Sequence, residues 1–341
     1  MLQYIDSMRS FSIIIPFKTG KHYLTACINS VLAQTYSNYQ IIVLTDNTSN
    51  DDGAVDYLNS ICNEHIEIVE SNETLDILGN WSRIKEVSKS DYMTILGYDD
   101  ILYPGFIEEI NMLIEKHPSA SLYHTQFDYI DKNGAYINKC KPLPERLTSE
   151  VYLAMALDEQ ISIMATGYVF KTTDYLTIGG IDIQYPNLIY ADLQLWIDLA
   201  EIGYLATSAK TQFAFRLHAS TTKISKDRIL MNALLVFLDY LKKLNASSER
   251  YQKIISEHTT GFLEQTSKSI SHRILRTPLA YRQGLTIKEL VSNISLKANE
   301  LGVKFQPEKI KSFRVALFIE KSKILSKLFL LFKSIYKKPI Y

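Results

Sequence analysis

The chain has 341 residues, 46% of them apolar and 22% charged, enough to bury a sizeable core in more than one unit. Its 37 basic and 37 acidic residues cancel, which removes the global positive field that a nucleic-acid-binding protein uses. Three widely spaced cysteines, Cys27, Cys62 and Cys140, have no zinc-binding or redox spacing and read as reduced core residues of a cytoplasmic protein.

Residues 1–10 carry neither the basic nor the apolar region of a secretory signal, and no run of about 18 apolar residues is available to span a membrane. Phe11–Pro16 is a short β-branched run stopped by proline, as expected of a central parallel strand. Leu24, Cys27, Ile28, Val31 and Leu32 then share one helical face. Tyr39–Leu44 is a second strand that runs into Asp46 within a polar turn. Val55, Leu58 and Ile61 mark a helix, Ile66–Val69 a third strand, and a further helix is predicted from about Asn80 to Ser88. The run Tyr92–Leu96 ends at Gly97, two residues before the adjacent carboxylates Asp99 and Asp100. This alternation predicts a parallel, doubly wound sheet with right-handed crossovers. Such sheets hold ligands at the carboxyl ends of their strands. Acids there suit a hard cation, because Mg²⁺ or Mn²⁺ on few protein carboxylates keeps positions open for phosphate oxygens. Neighbouring side chains of an extended backbone point to opposite sides, so one acid can hold metal while the other meets another part of the ligand. The competing reading is a solvated pair capping the helix that Pro104 begins.

Beyond Pro104, Phe106, Ile107, Ile110, Leu113 and Ile114 fall on one helical face, and Ala120–His124 resumes strand character. Asp131–Gly134 reads as a hairpin turn, Pro142 and Pro144 as an irregular link, and residues 161–170 as a strand. Gly179-Gly180-Ile181-Asp182 is a permissive loop, followed by an amphipathic helix from Asp192 to Ala200; an acid at a helix start is commonly a cap. Phe213–His218 is read as an edge-like strand bearing Arg216 and His218 near its end. From about Ser225 the pattern becomes helical, which divides the chain into 1–224 and 225–341. The segment Lys311–Tyr341 carries eight basic residues against one acid, Glu320, with Val315, Phe318, Ile324, Leu328, Leu331, Phe332 and Ile335 between them. A basic amphipathic helix of this kind suits an anionic membrane surface; its other uses are packing on its own domain or on a second copy of the chain in a homo-oligomer.

The order of these features resembles family 2 glycosyltransferases of the GT-A fold. The resemblance is carried by Phe11–Pro16 and the following Tyr23–Tyr36 helix, the turn Thr45-Asp46-Asn47-Thr48, Gly79-Asn80-Trp81-Ser82-Arg83, Gly97-Tyr98-Asp99-Asp100, and the late Gly179–Asp182 and Ala191-Asp192. It implies an α/β, Rossmann-like GT-A domain with a mostly parallel sheet flanked by helices, and a C-terminal helical extension. Pro16, Phe17, Asp46, Arg83 and Asp99 would contact the nucleotide donor, with Asp46 accepting from the imide of uracil. Asp100, helped by His218, would hold Mn²⁺ or Mg²⁺ against the diphosphate, and Asp192 would be the general base. The implied reaction is inverting transfer of a single sugar, most readily from a UDP-sugar, to a hydroxyl of a glycan or lipid-linked oligosaccharide. Bacterial surface polysaccharide, lipooligosaccharide or glycoprotein glycan synthesis at the inner face of the cytoplasmic membrane is the implied setting. The chemistry asks for the same groups: a divalent cation for charge on the leaving diphosphate, and a carboxylate for the proton of a weakly nucleophilic hydroxyl.

Three positions depart from the family pattern. Gly97 stands where the metal motif usually begins with an acid, Thr45 replaces the first acid of the base-binding turn, and Ala191 replaces the acid before the general base. The Gln-x-x-Arg-Trp motif of processive synthases is absent, which favours transfer of one sugar. A sugar nucleotidyltransferase would share the sheet and the metal chemistry, but it would need a glycine-rich, arginine-bearing loop where Pro16-Phe17-Lys18-Thr19-Gly20 stands. A non-catalytic nucleotide-sugar binder would not need Asp192.

Overall fold

The computed structural model describes residues 8–87, 89–218 and 225–335. They form two compact units. The first holds residues up to Ser149 together with Ile161–Ile183 and Leu195–His218; the second holds Glu150–Gln160, Gln184–Gln194 and the residues after His218.

The first unit is built on one ten-stranded sheet. In chain order its strands are β1 (Phe11–Pro16), β2 (Tyr39–Asp46), β3 (Ile66–Ser71), β4 (Tyr92–Ile95), β5 (Ile101–Leu102), β6 (Leu122–Ile130), β7 (Tyr136–Lys139), β8 (Arg146–Leu147), β9 (Val169–Lys171) and β10 (Leu205–Arg216). Their order across the sheet is β3-β2-β1-β4-β9-β6-β10-β5, with β7 beside β6 and β8 beside β10. Strands β3, β2, β1 and β4 are parallel, as the helical crossovers between them require. The other half is mixed, because β9 enters antiparallel between β4 and β6. Two antiparallel steps restore the direction, so β6 and its parallel neighbour β10 run the same way as β4. The carboxyl ends of β1, β2, β4, β6 and β10 therefore share one rim.

Three expectations need correction. Of the expected 161–170 strand only Val169 and Phe170 pair in the sheet, as part of β9; its earlier residues form a loop. The strand ending at Arg216 is twelve residues long and interior, flanked by β6 and by a two-residue β5 too short to read from sequence. Cys62 is exposed, at the left-handed end of the helix Ala54–Ile61, whereas Cys27 is buried; all three cysteines are free thiols. The hairpin turn at Asp131 joins β6 to β7, with the Asp131 N–H donating to the Ala135 carbonyl at 2.8 Å.

The strand β1 is buried along its whole length, since helices cover the sheet and place Leu24, Ile28 and Val31 or Phe106, Ile110 and Leu113 in its core. An aromatic stack lies near the middle of the sheet: His124 on Tyr168 at 4.0 Å between ring centroids, and Tyr168 on Trp196 at 4.3 Å. His124 Nδ1 bonds the Gly167 carbonyl at 2.8 Å, while its Nε2 is buried without a partner. Gly167 has φ +87° and a Cβ there would lie 2.4 Å from the Phe213 ring, so only glycine fits.

In the second unit, helices span Asp227–Ser247, Glu249–Arg276, Ile287–Glu300, Lys311–Lys321 and Lys323–Ile335. Ser248 and Thr286 cap two of them through their side chains. Leu230, Leu234, Phe237 and Leu241 form the buried face of the first, and Tyr190 stacks on Phe237 at 5.0 Å. The basic tail is two helices, not one, broken at the extended Ser322; residues 336–341 lie outside the described residues, as does Ser88 of the expected Asn80–Ser88 helix. Among the described residues no helix is long and apolar enough to cross a membrane.

Burial holds the His124 pKa down, at about 4, so the folded protein keeps this ring neutral while the unfolded chain protonates it near 6.5. The contribution is therefore present above about pH 6.5 and lost as pH falls toward 4. Relative to a His124→Phe variant, the wild type should lose about 3 kcal/mol of stability between pH 7 and pH 4, read from urea denaturation at each pH.

Candidate active site

Each side chain expected at the site can be traced to the strand that delivers it. Asp46, at the end of β2, is 1% exposed. It accepts hydrogen bonds from Lys18 Nζ (2.6 Å), Leu75 N–H (2.9 Å), Thr48 N–H (3.0 Å), Thr48 Oγ1 (2.8 Å) and Ser49 Oγ (3.0 Å). Burial alone would raise its pKa, but Lys18 and these donors hold the carboxyl well below the usual range. All its acceptor capacity is used within the protein. Lys18 also donates to the Leu75 carbonyl at 2.8 Å, so the loop after β1, the end of β2 and residues 74–76 are tied at one point.

Arg83 is likewise turned to the backbone: its guanidinium donates to the carbonyls of Thr45 (2.8 Å) and Val69 (2.7 Å) and to Asn80 Oδ1 (3.1 Å). Asn80 Nδ2 in turn reaches the carbonyls of Phe17 and Leu44, each at 3.2 Å. Asn80 and Arg83 thereby fasten the ends of β1, β2 and β3. Pro16 and Phe17 are buried, with Phe17 edge-on to Tyr98 at 5.4 Å. Gly20 has φ +116°, and a Cβ there would meet the Tyr98 ring at 2.8 Å. Asp52, which the sequence did not single out, accepts from the N–H groups of Gly20 and Lys21, both at 2.8 Å, at the start of the helix Lys21–Leu32.

The two acids after β4 have opposite fates. Asp100 is buried; its Oδ1 accepts from the Arg216 N–H at 2.8 Å and its Oδ2 from Thr166 Oγ1 at 2.6 Å. Thr166 Oγ1 also accepts from the Gly97 N–H at 2.9 Å. Burial first, and the Asp99 charge second, push the Asp100 carboxyl well above its ordinary range. Asp99 instead faces outward and contacts His218 Nε2 through its Oδ2. The His218 ring lies 5.4 Å from that of Tyr23, over which the Arg216 guanidinium also sits at 5.0 Å. Arg216 Nε donates to the Asp99 carbonyl at 2.6 Å. The rim thus carries Asp99 and His218, braced from behind by Asp100, Arg216 and Thr166. Arg216 entered the sequence reading only as a residue beside His218, and Thr166 not at all, since a lone hydroxyl in an irregular loop gives no pattern to read.

Gly97 explains why an acid is missing there. A Cβ at this position would lie 2.7 Å from Asp100 Oδ2, 2.9 Å from Asp99 Oδ1 and 3.1 Å from Thr166 Oγ1. The oxygens that converge here occupy the space of a side chain at residue 97.

Among the described residues no group of three or more His, Cys, Asp and Glu side chains forms a complete metal cage. One carboxylate and one imidazole, Asp99 and His218, do offer a two-ligand edge that fits Mn²⁺ or Mg²⁺ when phosphate oxygens and water supply the remaining positions. The expected ligand Asp100 has both oxygens engaged with protein donors.

In the second unit, Asp192 lies in the first turn of the helix Ala191–Ile202, half-buried, with Oδ1 accepting from the Leu193 N–H at 2.9 Å. Burial pushes its pKa up to about 6 against the lowering effect of backbone N–H groups. The residues before it are held in an uncommon conformation: Asn187, Leu188 and Tyr190 all have positive φ, at 53°, 58° and 74°. Strain of this kind clusters at functional segments.

Residues 12–167 match the model of the family described as glycosyl transferase family 2. An uncharacterized glycosyltransferase of Rickettsia bellii is 26% identical over 267 residues, covering 75% of this chain; the chain spans 37% of that relative's length. An Escherichia coli protein named UDP-Glc:alpha-D-GlcNAc-diphosphoundecaprenol beta-1,3-glucosyltransferase WfaP is 23% identical over 225 residues, covering 66% of this chain and 84% of that one. Among solved structures, S. aureus TarS 1-349 in complex with UDP-GlcNAc superposes with a TM-score of 0.61 at 10% identity, covering 92% of this chain and 91% of that one, which establishes a shared fold.

Thr166→Val should leave a buried carboxylate oxygen of Asp100 unpartnered and cost about 1–3 kcal/mol in chemical denaturation, while Thr166→Ser retains wild-type stability within about 1 kcal/mol.

Proposed function

We propose that the chain is an inverting, metal-dependent glycosyltransferase that moves one sugar from a UDP-sugar to a hydroxyl of a glycan or lipid-linked oligosaccharide. Bacterial surface polysaccharide, lipooligosaccharide or glycoprotein glycan synthesis, on the cytoplasmic side, is its setting. The observation that carries this reading is the pairing of Asp99 with His218 at the shared carboxyl-end rim of β4 and β10, residues 119 apart in sequence. The UDP-sugar named for the Escherichia coli relative and the UDP-GlcNAc bound by TarS support the choice of donor.

Asp99 and His218 are the groups that would hold Mn²⁺ or Mg²⁺; when bound, the cation neutralises charge on the departing diphosphate. Asp100 stays behind them, its buried carboxylate fixing the turn Gly97–Asp100 and so the direction of Asp99. Asp46, Asn80 and Arg83 serve the nucleotide by holding the loops at the ends of β1, β2 and β3, with Pro16 and Phe17 as the wall beneath. The Thr45–Asp46 turn and the segment around Leu75 are the backbone on which uracil would be read.

Asp192 takes the proton of the acceptor hydroxyl as that oxygen attacks the anomeric carbon. The bond to the diphosphate oxygen breaks in the same displacement, so the configuration inverts and no covalent intermediate forms. A carboxylate with a pKa of about 6 is ionised at neutral pH yet basic enough to accept the proton.

Three outcomes are expected. Turnover should rise with pH through about 6 and level above it, and Asp192→Asn should lower transfer by about 10²–10⁴-fold while UDP binding is unchanged; a variant that keeps its turnover contradicts the assignment. Asp99→Asn should weaken UDP binding in Mn²⁺ by about tenfold or more in calorimetry without altering the weak binding left after chelation.

A further inference from the structure

We propose that the outward face of the two C-terminal helices, Lys311–Lys321 and Lys323–Ile335, is a docking surface for an anionic lipid bilayer. Large apolar side chains on this face are left in water: Phe318 is 66% exposed, Ile324 71%, Leu331 60% and Ile335 77%. In the second helix Ile324, Leu328, Leu331 and Ile335 recur at intervals of four, three and four residues and form a single stripe, with Phe332 beside it. The opposite side is built inward, with Phe313, Ala316 and Ser326 buried. The apolar stripe is therefore not an unfinished core but a second face of helices that are already anchored.

Charge selects the occupant. Lys311, Arg314, Lys321, Lys323 and Lys327 are exposed along the same two helices. The lone acid of the tail, Glu320, is turned away from them. Its two carboxylate oxygens accept from the Ile287 N–H, each at 2.9 Å, and it lies 3.6 Å from the buried Arg282 guanidinium. Glu320 thus caps the helix Ile287–Glu300 and contributes no negative charge outside. What remains is a cationic, apolar surface, and its helices lie too short for a bilayer-spanning segment. Apolar side chains entering the acyl boundary while lysines stay among anionic headgroups match this arrangement. A second copy of the chain would bring the same positive charges against themselves, so self-association by this face is disfavoured by charge.

Co-sedimentation of the full chain with vesicles tests the proposal, with UDP binding measured on the same samples as a separate readout of the rim of β4 and β10. The expected result is pelleting with phosphatidylglycerol-containing vesicles, little with phosphatidylcholine alone, and release by high salt. Lys323→Glu with Lys327→Glu should weaken partitioning about tenfold or more, and Phe318→Ser with Leu331→Ser should abolish it, with UDP binding unchanged in both. Protein that stays in the supernatant with anionic vesicles at low salt overturns the proposal, as does pelleting indifferent to both pairs of substitutions. A sedimentation-velocity mass that falls from dimer to monomer in the Phe318→Ser, Leu331→Ser variant, without vesicle binding by the wild type, assigns the face to self-association instead.

Discussion

The buried Asp100 carboxylate is the constraint on which the rest of the first unit's rim depends. One oxygen is held by the Arg216 N–H of β10 and the other by Thr166 from the loop before β9, so a single side chain joins three parts of the fold that are far apart in sequence. Its burial without a full counter-charge is costly, and the upward push on its pKa expresses that cost. The arrangement persists because every oxygen has a donor and because Arg216 also binds the Asp99 carbonyl. Gly97 follows from the same constraint, since any Cβ there would enter the space where the Asp99, Asp100 and Thr166 oxygens converge. One acid buried behind and one half-buried in front is how a single Asp-Asp pair both anchors the turn and leaves a carboxylate at the rim.

A comparable arrangement runs through the ends of β1, β2 and β3. Asp46 and Arg83 sit where strand ends should carry functional groups, yet both bond to groups of the protein: Asp46 to Lys18, Thr48, Ser49 and the Leu75 N–H, Arg83 to Asn80 and the carbonyls of Thr45 and Val69. These bonds, with those of Asn80, hold the ends of β1, β2 and β3 to one another. In the second unit, the positive φ values at Asn187, Leu188 and Tyr190 and the Tyr190 stack on Phe237 fix the approach to Asp192 in a similar indirect way.

Much of this was legible in the sequence, for identifiable reasons. The β-branched runs at Phe11, Tyr39 and Tyr92 and the helical spacing between them state the parallel half of the sheet, because a strand buried on both faces must be continuously apolar. The acids at the ends of β2 and β4 were readable as positions. Their orientation was not, since it depends on partners such as Leu75, Thr166 and Arg216 that adjoin them only after folding. The mixed half of the sheet was harder: β5 and β8 are two residues long, β9 three, and the interior place of β10 follows from pairings that no local pattern encodes. The tail reads as a single amphipathic helix because its charge pattern continues across Ser322, where the backbone becomes extended.

The proposed role of Asp99 and His218 is to receive the diphosphate and its cation at the ends of β4 and β10. The most direct measurement is the anomalous difference density of Mn²⁺ in crystals of the protein grown with UDP. One peak within bonding distance of Asp99 Oδ2, His218 Nε2 and the diphosphate oxygens is expected. A Mn²⁺–UDP complex seated away from both side chains would contradict it.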